Sequence, residues 1–355
     1  MDDATLDDLR LFLPPLLRAM EGLGFVARRL NPPQLARVLE IVAEPEAALR
    51  EARPRLGAWP GPLALLSEQL QSVADEALAA YEELGAAEDM RGVYRALRHV
   101  PRAQEALYPL AEGLPPVSRY FLTPARRDDP ALLARFVDAP ERDDVGVFHI
   151  DNEPGSRGGF SLYVPETYDA ERPHPVVFAL HGGSGSGRGF LWSWLRDARA
   201  DGAILVAPTA VGETWALQGE DVDSPNLARI LADVSARWNV DPGRRLLTGM
   251  SDGGAFSYIS GLVEGSPFTH LAPACAAFHP MLTAFADADR IRGLPIYVTH
   301  GVQDWMFAVD MAREAEAALT AAGARVTYRE IEDLSHCYPS EINPDLLAWM
   351  EATAG

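Results

Sequence analysis

Apolar and polar positions change their rhythm at about residue 120. Before that point the chain is rich in Ala, Leu, Glu and Arg, residues that favour helix. Leu63, Leu66, Leu70, Val73, Leu78 and Tyr81 recur at a spacing that puts them on related faces of one long helix. The stretch Leu6 to Leu30 reads as one or two short amphipathic helices broken near Pro14 and Pro15, because proline lacks the N–H and its ring meets the preceding turn. Asn31, followed by Pro32 and Pro33, reads as a helix cap. After the helical segment, the charged, proline-containing stretch TPARRDDPALLARFVDAPERDD, Thr123 to Asp144, reads as an exposed linker.

From Val145 the pattern becomes one of strands. VGVFHI and the alternating GGFSLYVP come first, then the short apolar runs HPVVFAL, GAILVAP, RRLLTG and LPIYVT, and finally RVTYREI; LAPACAAF is also strand-like. Short apolar runs suit strands buried on both faces. Helical segments lie between them: one capped at Ser224 with Pro225 in its first turn, one stopped by Gly323, and a closing helix over INPDLLAWMEA. This alternation predicts an α/β fold with a mostly parallel central sheet, preceded by an all-helical extension. The expected organisation is a helical extension over 1–120, a linker over 121–144 and an α/β catalytic domain over 145–355. Functional residues in such a sheet gather beyond the C-terminal ends of the strands.

Three motifs fall at those ends. GMSDG, Gly249 to Gly253, fits G-x-S-x-G between a strand and a helix, so Ser251 is the candidate nucleophile on a tight turn. Gly249 and Gly253 remove clashes there, and Gly254 eases close packing. HGGSGSG, beginning at His181, follows a strand and offers backbone N–H groups to a developing oxyanion. The expected donors are the N–H around Gly183 or Ser184 and that of Asp252, the residue after the nucleophile. The loop lacks the G-K-[ST] of a phosphate-binding loop, and His181 is expected to orient it. HGVQD puts Asp304 on a loop after its strand, ready to orient a base; Asp310 is explained by helix capping, and Asp333 is a weaker rival. His336, in the LSHCYP loop after the last strand, is the candidate base. The chain order Ser, Asp, His is that of α/β-hydrolases.

On these motifs the stretch from about 145 to 352 resembles α/β-hydrolases of the phospholipase/carboxylesterase and polyhydroxybutyrate-depolymerase-like groups, including feruloyl-esterase-like members. HGGSGSG, WNVDPGRRLLTGMSDGG, HGVQD, VTYREI and SHCYP carry the resemblance. It implies Ser251 as nucleophile, Asp304 as acid and His336 as base, with Asp241 and Arg244 in a structural turn. It also implies action on carboxylic esters with short acyl or aryl groups; a serine amidase or peptidase with the same triad is the alternative. Members commonly carry Asn where this chain has Asp252. The backbone N–H is unchanged, but a carboxylate so close to the oxyanion slows catalysis unless it points away or is paired. The helical extension lies outside the resemblance and suits a packing appendage, an oligomerisation surface or a cap over the active site.

Aromatic residues near the motifs are candidates for a substrate wall: Trp215, Trp305 and Phe307, with Phe190, Trp192 and Trp194 after the glycine loop. Core packing competes for at least half of them. Composition adds exclusions. The 355 residues carry a formal net charge of −20, which repels nucleic acid and anionic membranes. No run approaches membrane-spanning length, and the acidic N-terminus is a poor export signal, so a soluble cytoplasmic protein is expected. With two cysteines, Cys275 and Cys337, this is no disulfide scaffold. The histidines are not clustered as metal ligands, and neither metal nor other cofactor is expected. The expected partner is a small-molecule ester, with a homo-oligomer through the N-terminal helices left open.

Overall fold

Helix formers in the first third of the chain give a helical unit, Met1–Asp128, and the strand-forming remainder gives a second, Asp129–Gly355. The computed structural model describes residues 3–42, 45–57, 59, 61 and 63–354. In the first unit the described helices are α1 (Asp3–Arg28), α2 (Leu35–Val42), α3 (Pro45–Ala52), α4 (Leu63–Gly85), α5 (Met90–Leu97), α6 (His99–Leu107) and α7 (Pro115–Tyr120).

The break expected at Pro14 and Pro15 does not occur: α1 runs through both. The carbonyls that lose an N–H partner belong to Arg10 and Leu11, and both residues are exposed. The opposite face buries Leu9, Phe12, Leu13, Leu16, Ala19, Met20, Leu23 and Val26. Burying a large apolar side chain contributes about 1.5–3 kcal/mol, so this stripe outweighs the roughly 3 kcal/mol that an interior proline costs. Tyr81 on α4 donates to the Ala19 carbonyl at 2.7 Å, fixing α4 against α1. His99 lies between Glu76 at 2.6 Å and Glu83 at 3.3 Å, a hydrogen-bonded position among the helices.

The second unit opens with α8 (Pro130–Val137), a helix inside the stretch read from sequence as linker. Asp129 caps it, its side chain accepting from Ala131 and Leu132 N–H. The strands are β1 (Gly146–Ile150), β2 (Phe160–Val164), β3 (His174–Leu180), β4 (Ile204–Pro208), β5 (Val240–Met250), β6 (His270–Ala274), β7 (Pro295–Gly301) and β8 (Arg325–Ile331). Between them come α9 (Gly187–Phe190), α10 (Leu195–Asp201), α11 (Asp223–Arg237), α12 (Asp252–Leu262), α13 (Met281–Phe285), α14 (Ala288–Ile291) and α15 (Asp310–Ala321), and α16 (Asn343–Thr353) closes the chain.

Among the described residues the strands form one sheet in the order β1-β2-β4-β3-β5-β6-β7-β8. Pairing is antiparallel at β1–β2 and β2–β4 and parallel from β4 onwards. Parallel strands need crossovers, and helices on the faces cover the central runs on both sides. Phe178, Leu247, Phe256, Phe268 and Ile296 are fully buried in the resulting core. Gly323 ends the α15 region in the left-handed conformation, φ 95°. Ser224 does not cap α11: the helix begins at Asp223, and the Ser224 N–H donates to Asp221 instead. The longer carboxylate reaches the helix N-terminus from one turn upstream. Among the described residues, no helix is long and apolar enough to cross a membrane.

Candidate active site

The central strand β5 ends at Met250 and α12 begins at Asp252, leaving Ser251 alone at the corner with φ 57° and ψ −122°. A non-glycine residue rarely adopts such backbone, so the corner holds strain imposed by its surroundings. Two glycines make it feasible. A Cβ on Gly249 would lie 2.5 Å from the Gly253 carbonyl carbon, and one on Gly253 would lie 2.5 Å from the carbonyl oxygens of Leu180 and His181. The Ser251 N–H donates to the Ala274 carbonyl at 3.1 Å, tying the corner to β6.

His336 reaches this corner from the far end of the sheet. Val302 N–H donates to Ile331 O at 3.0 Å and Gln303 N–H to Leu334 O at 3.0 Å, so the turn after β7 is bonded along the loop after β8. That brings Asp304 beside His336. His336 Nδ1 lies 2.9 Å from Asp304 Oδ2 and 3.1 Å from Oδ1, and its Nε2 lies 3.1 Å from Ser251 Oγ. Nδ1 as donor to the carboxylate leaves Nε2 as acceptor for the serine hydroxyl. Ser251 is 7% exposed and His336 4%.

Asp304 is held from several sides. Its Oδ1 accepts from the backbone N–H groups of Met306 and Phe307 at 2.9 and 2.8 Å, and His300 Nε2 stands 3.3 Å from Oδ2. Burial alone would push this carboxyl up. The hydrogen bonds from His300, His336 and the Phe307 N–H outweigh it and hold the group well below the usual carboxylate range. Asp304 therefore stays ionised at neutral pH. His300 escaped the sequence reading, although it opens the same HGVQD motif; its four-residue spacing from Asp304 was the available signal.

The glycine loop meets the same corner. Gly185 N–H donates to Gly182 O at 3.1 Å, closing a turn around Gly183 and Ser184, and Ser184 takes φ 58°. His181 anchors the turn from below. Its Nε2 accepts from Ala210 N–H at 3.1 Å, Nδ1 bonds the Gly182 carbonyl at 2.6 Å, and burial pushes its imidazole down to about 4, so the ring is neutral. Across the turn, the Asp252 carboxylate is paired: Thr214 Oγ1 donates to Oδ2 at 2.6 Å. The N–H of Asp252 opens α12, where first-turn N–H groups have no acceptor within the helix.

The aromatic candidates separate into two groups. Trp305, 44% exposed, and Phe307 both meet the His336 ring edge-on, at 6.1 and 5.3 Å between centroids. Trp215 is 3% exposed, stacks on Phe256 and donates from Nε1 to the His181 carbonyl, so it lies beneath the glycine loop. Trp192 and Trp194 are buried, and Phe190 packs edge-on against Tyr338.

Behind His336 runs a buried polar chain. Tyr338 donates to Asn343 Oδ1 at 2.8 Å, and Asn343 Nδ2 donates to Ser193 O at 3.0 Å and to Asp197 Oδ2 at 2.9 Å. Burial raises the Asp197 carboxyl to about 7, against the hydrogen bond from Asn343. Cys275 and Cys337 are not joined in a disulfide and lie buried near the same loop, and burial pushes the Cys275 thiol up and keeps it protonated. Among the described residues, no three His, Cys, Asp or Glu side chains are grouped so as to hold a metal ion.

The sheet order and the serine corner after its central strand define the architecture. Among the described residues the chain has an α/β fold built on one mostly parallel eight-stranded sheet. It is related in sequence to fungal feruloyl esterases: 32% identical over 117 residues to a probable feruloyl esterase C of Aspergillus oryzae, and 34% over 118 residues to feruloyl esterase C of Emericella nidulans. Each match covers 31% of this chain and 43% of the relative, so the chain spans less than half the length of these curated relatives. Similar solved structures include an S-formylglutathione hydrolase from Agrobacterium tumefaciens, 17% identical with a TM-score of 0.47 over 59% of this chain and 95% of that one. Another is esterase PE8, 20% identical with a TM-score of 0.42 over 54% and 97%. No family model matches the chain.

Proposed function

We propose that the chain is a serine carboxylesterase acting through an acyl-enzyme, with Ser251 as nucleophile, His336 as general base and Asp304 as its orienting carboxylate. One observation carries the reading: the unbroken line Asp304–His336–Ser251, at 2.9 and 3.1 Å. The relation to feruloyl esterases supports an ester as substrate.

In this mechanism Ser251 Oγ attacks the ester carbonyl while His336 Nε2 takes its proton. The carbonyl oxygen becomes an oxyanion facing the N–H groups of Asp252 and of Gly183 or Ser184. Collapse breaks the ester bond, and His336 gives the proton to the departing alcohol. Water, deprotonated by His336, then attacks the acyl-enzyme; the second collapse frees the acid and returns the proton to Ser251. Ionised Asp304 stabilises the imidazolium formed in each half-reaction. Trp305 and Phe307 suit a wall for an aryl or short acyl group. The catalytic work belongs to residues 145–355, with the helical residues 1–120 as an appendage.

The test is initial-rate hydrolysis of p-nitrophenyl esters from acetate to long acyl chains, beside a matched anilide and the Ser251→Ala variant. Ester turnover that peaks at short chains and drops by at least about 10³-fold in the variant is the expected result. Turnover that survives the substitution overturns the assignment, and a preference for the anilide moves it to an amidase.

A further inference from the structure

Arg157, in the connection between β1 and β2, bonds three carbonyls at once. Its Nη1 donates to Gly185 O at 2.9 Å, Nε to Gly212 O at 2.6 Å and Nη2 to Glu213 O at 2.8 Å. The first belongs to the turn that carries Gly183 and Ser184. The other two immediately precede Thr214, whose hydroxyl holds the Asp252 carboxylate. These two segments are 28 and 55 residues away along the chain. One planar guanidinium, whose donors leave in a fixed fork, therefore sets their separation.

We infer that Arg157 is a positioning residue of this site: by holding the Gly185, Gly212 and Glu213 carbonyls it fixes the glycine turn and the Thr214–Asp252 pair around the oxyanion position. The inference rests on the proposed acyl-transfer reading of Ser251. Arg157 itself touches no reacting atom in this scheme. It acts by keeping the backbone donors aimed at the place where charge develops, the quantity on which oxyanion stabilisation depends. A lysine cannot replace it, because a single ammonium on a flexible stem does not span three carbonyls in one plane.

The experiment compares wild type, Arg157→Met, Arg157→Lys and Ser251→Ala on p-nitrophenyl acetate. It also measures inhibition by phenylboronic acid, which forms a tetrahedral adduct on an active serine. Expected is a kcat lowered by about 10²-fold in Arg157→Met with KM within about twofold, since the lost interaction acts on the transition state and not on substrate binding. The boronate should weaken in proportion, and Arg157→Lys should fall between. If Arg157→Met does not fold, Arg157→Lys decides, with kcat lowered by about tenfold and boronate affinity falling with it. Wild-type kcat in the folded variants overturns the inference, as does a lowered kcat with undiminished boronate binding. Activity surviving in Ser251→Ala overturns the reading of the site itself, and this inference falls with it.

Discussion

Thr214 Oγ1 and Asp252 Oδ2 are joined by a 2.6 Å hydrogen bond, and the same carboxylate oxygen lies 2.8 Å from the place where a Cβ on Gly183 would stand. The pairing fixes the carboxylate as a hydrogen-bonded wall, which in the proposed mechanism stands beside the oxyanion, and it explains why residue 183 has no side chain. A hydrogen bond to a charged group is worth about 1.5–3 kcal/mol, enough to change a rate by about tenfold or more. Thr214→Val should therefore lower kcat by about tenfold. The double variant Thr214→Val/Asp252→Asn should recover most of that loss, because the released charge is gone. A double-mutant cycle in kcat/KM reads the coupling; strictly additive effects would refute it.

Asp304 accepts two backbone N–H groups on Oδ1 and faces His336 with Oδ2. Asparagine can keep the first contacts, but its amide then presents hydrogen to Nδ1. His336 would shift its own proton to Nε2 and meet the Ser251 hydroxyl as a donor. Asp304→Asn should fold normally and lose about 10⁴-fold in kcat, the loss associated with the wrong tautomer in serine hydrolysis. Circular dichroism with steady-state kinetics checks both halves.

Asp197 links pH to stability. Its carboxyl titrates near 7 in the fold against an ordinary value of 3.8, because burial outweighs the Asn343 hydrogen bond. Between those values the native protein keeps a proton that the unfolded chain has released. This group's contribution therefore falls as pH rises from about 4 to about 7, then levels off. The full span is on the order of 4 kcal/mol. Asp197→Asn carries no such proton, so its stability relative to wild type should rise across that window. Melting temperatures of the two proteins from pH 4 to pH 8 should diverge; parallel curves would place the titration elsewhere.

Two glycines with opposite surroundings give a contrast in stability. A Cβ on Gly24, exposed inside α1, meets nothing within 4 Å, and Gly24→Ala should stabilise the helical unit by about 0.5–1 kcal/mol. A Cβ on Gly253 runs into two backbone carbonyls, and Gly253→Ala should cost about 3 kcal/mol or prevent folding. Urea unfolding of each variant measures both.

The sheet was legible because buried strands announce themselves as apolar runs: VVFAL, ILVAP and RRLLTG became β3, β4 and the end of β5. The serine corner was legible because a strand, a G-x-S-x-G turn and a helix occur in immediate succession. Pro14 and Pro15 misled, since local chemistry argues for a break while a buried stripe of eight side chains holds α1 together. Trp215 lies under the glycine loop, where burial is decided by Phe256 and His181, residues that its own neighbourhood in sequence does not reveal. His300, Thr214 and Arg157 share that difficulty. Their partners are backbone atoms and carboxylates brought near by the sheet, and a pattern of residue types records no such distances.

The corner at Ser251 is closed beneath and behind: Gly249 abuts Gly253, Gly253 abuts the Leu180 and His181 carbonyls, and a Cβ on Gly254 would lie 2.8 Å from the Ala276 Cβ. Inherited variation has no room there. Trp305 and Met306, by contrast, stand half-exposed, and a change of side chain there displaces solvent instead of backbone.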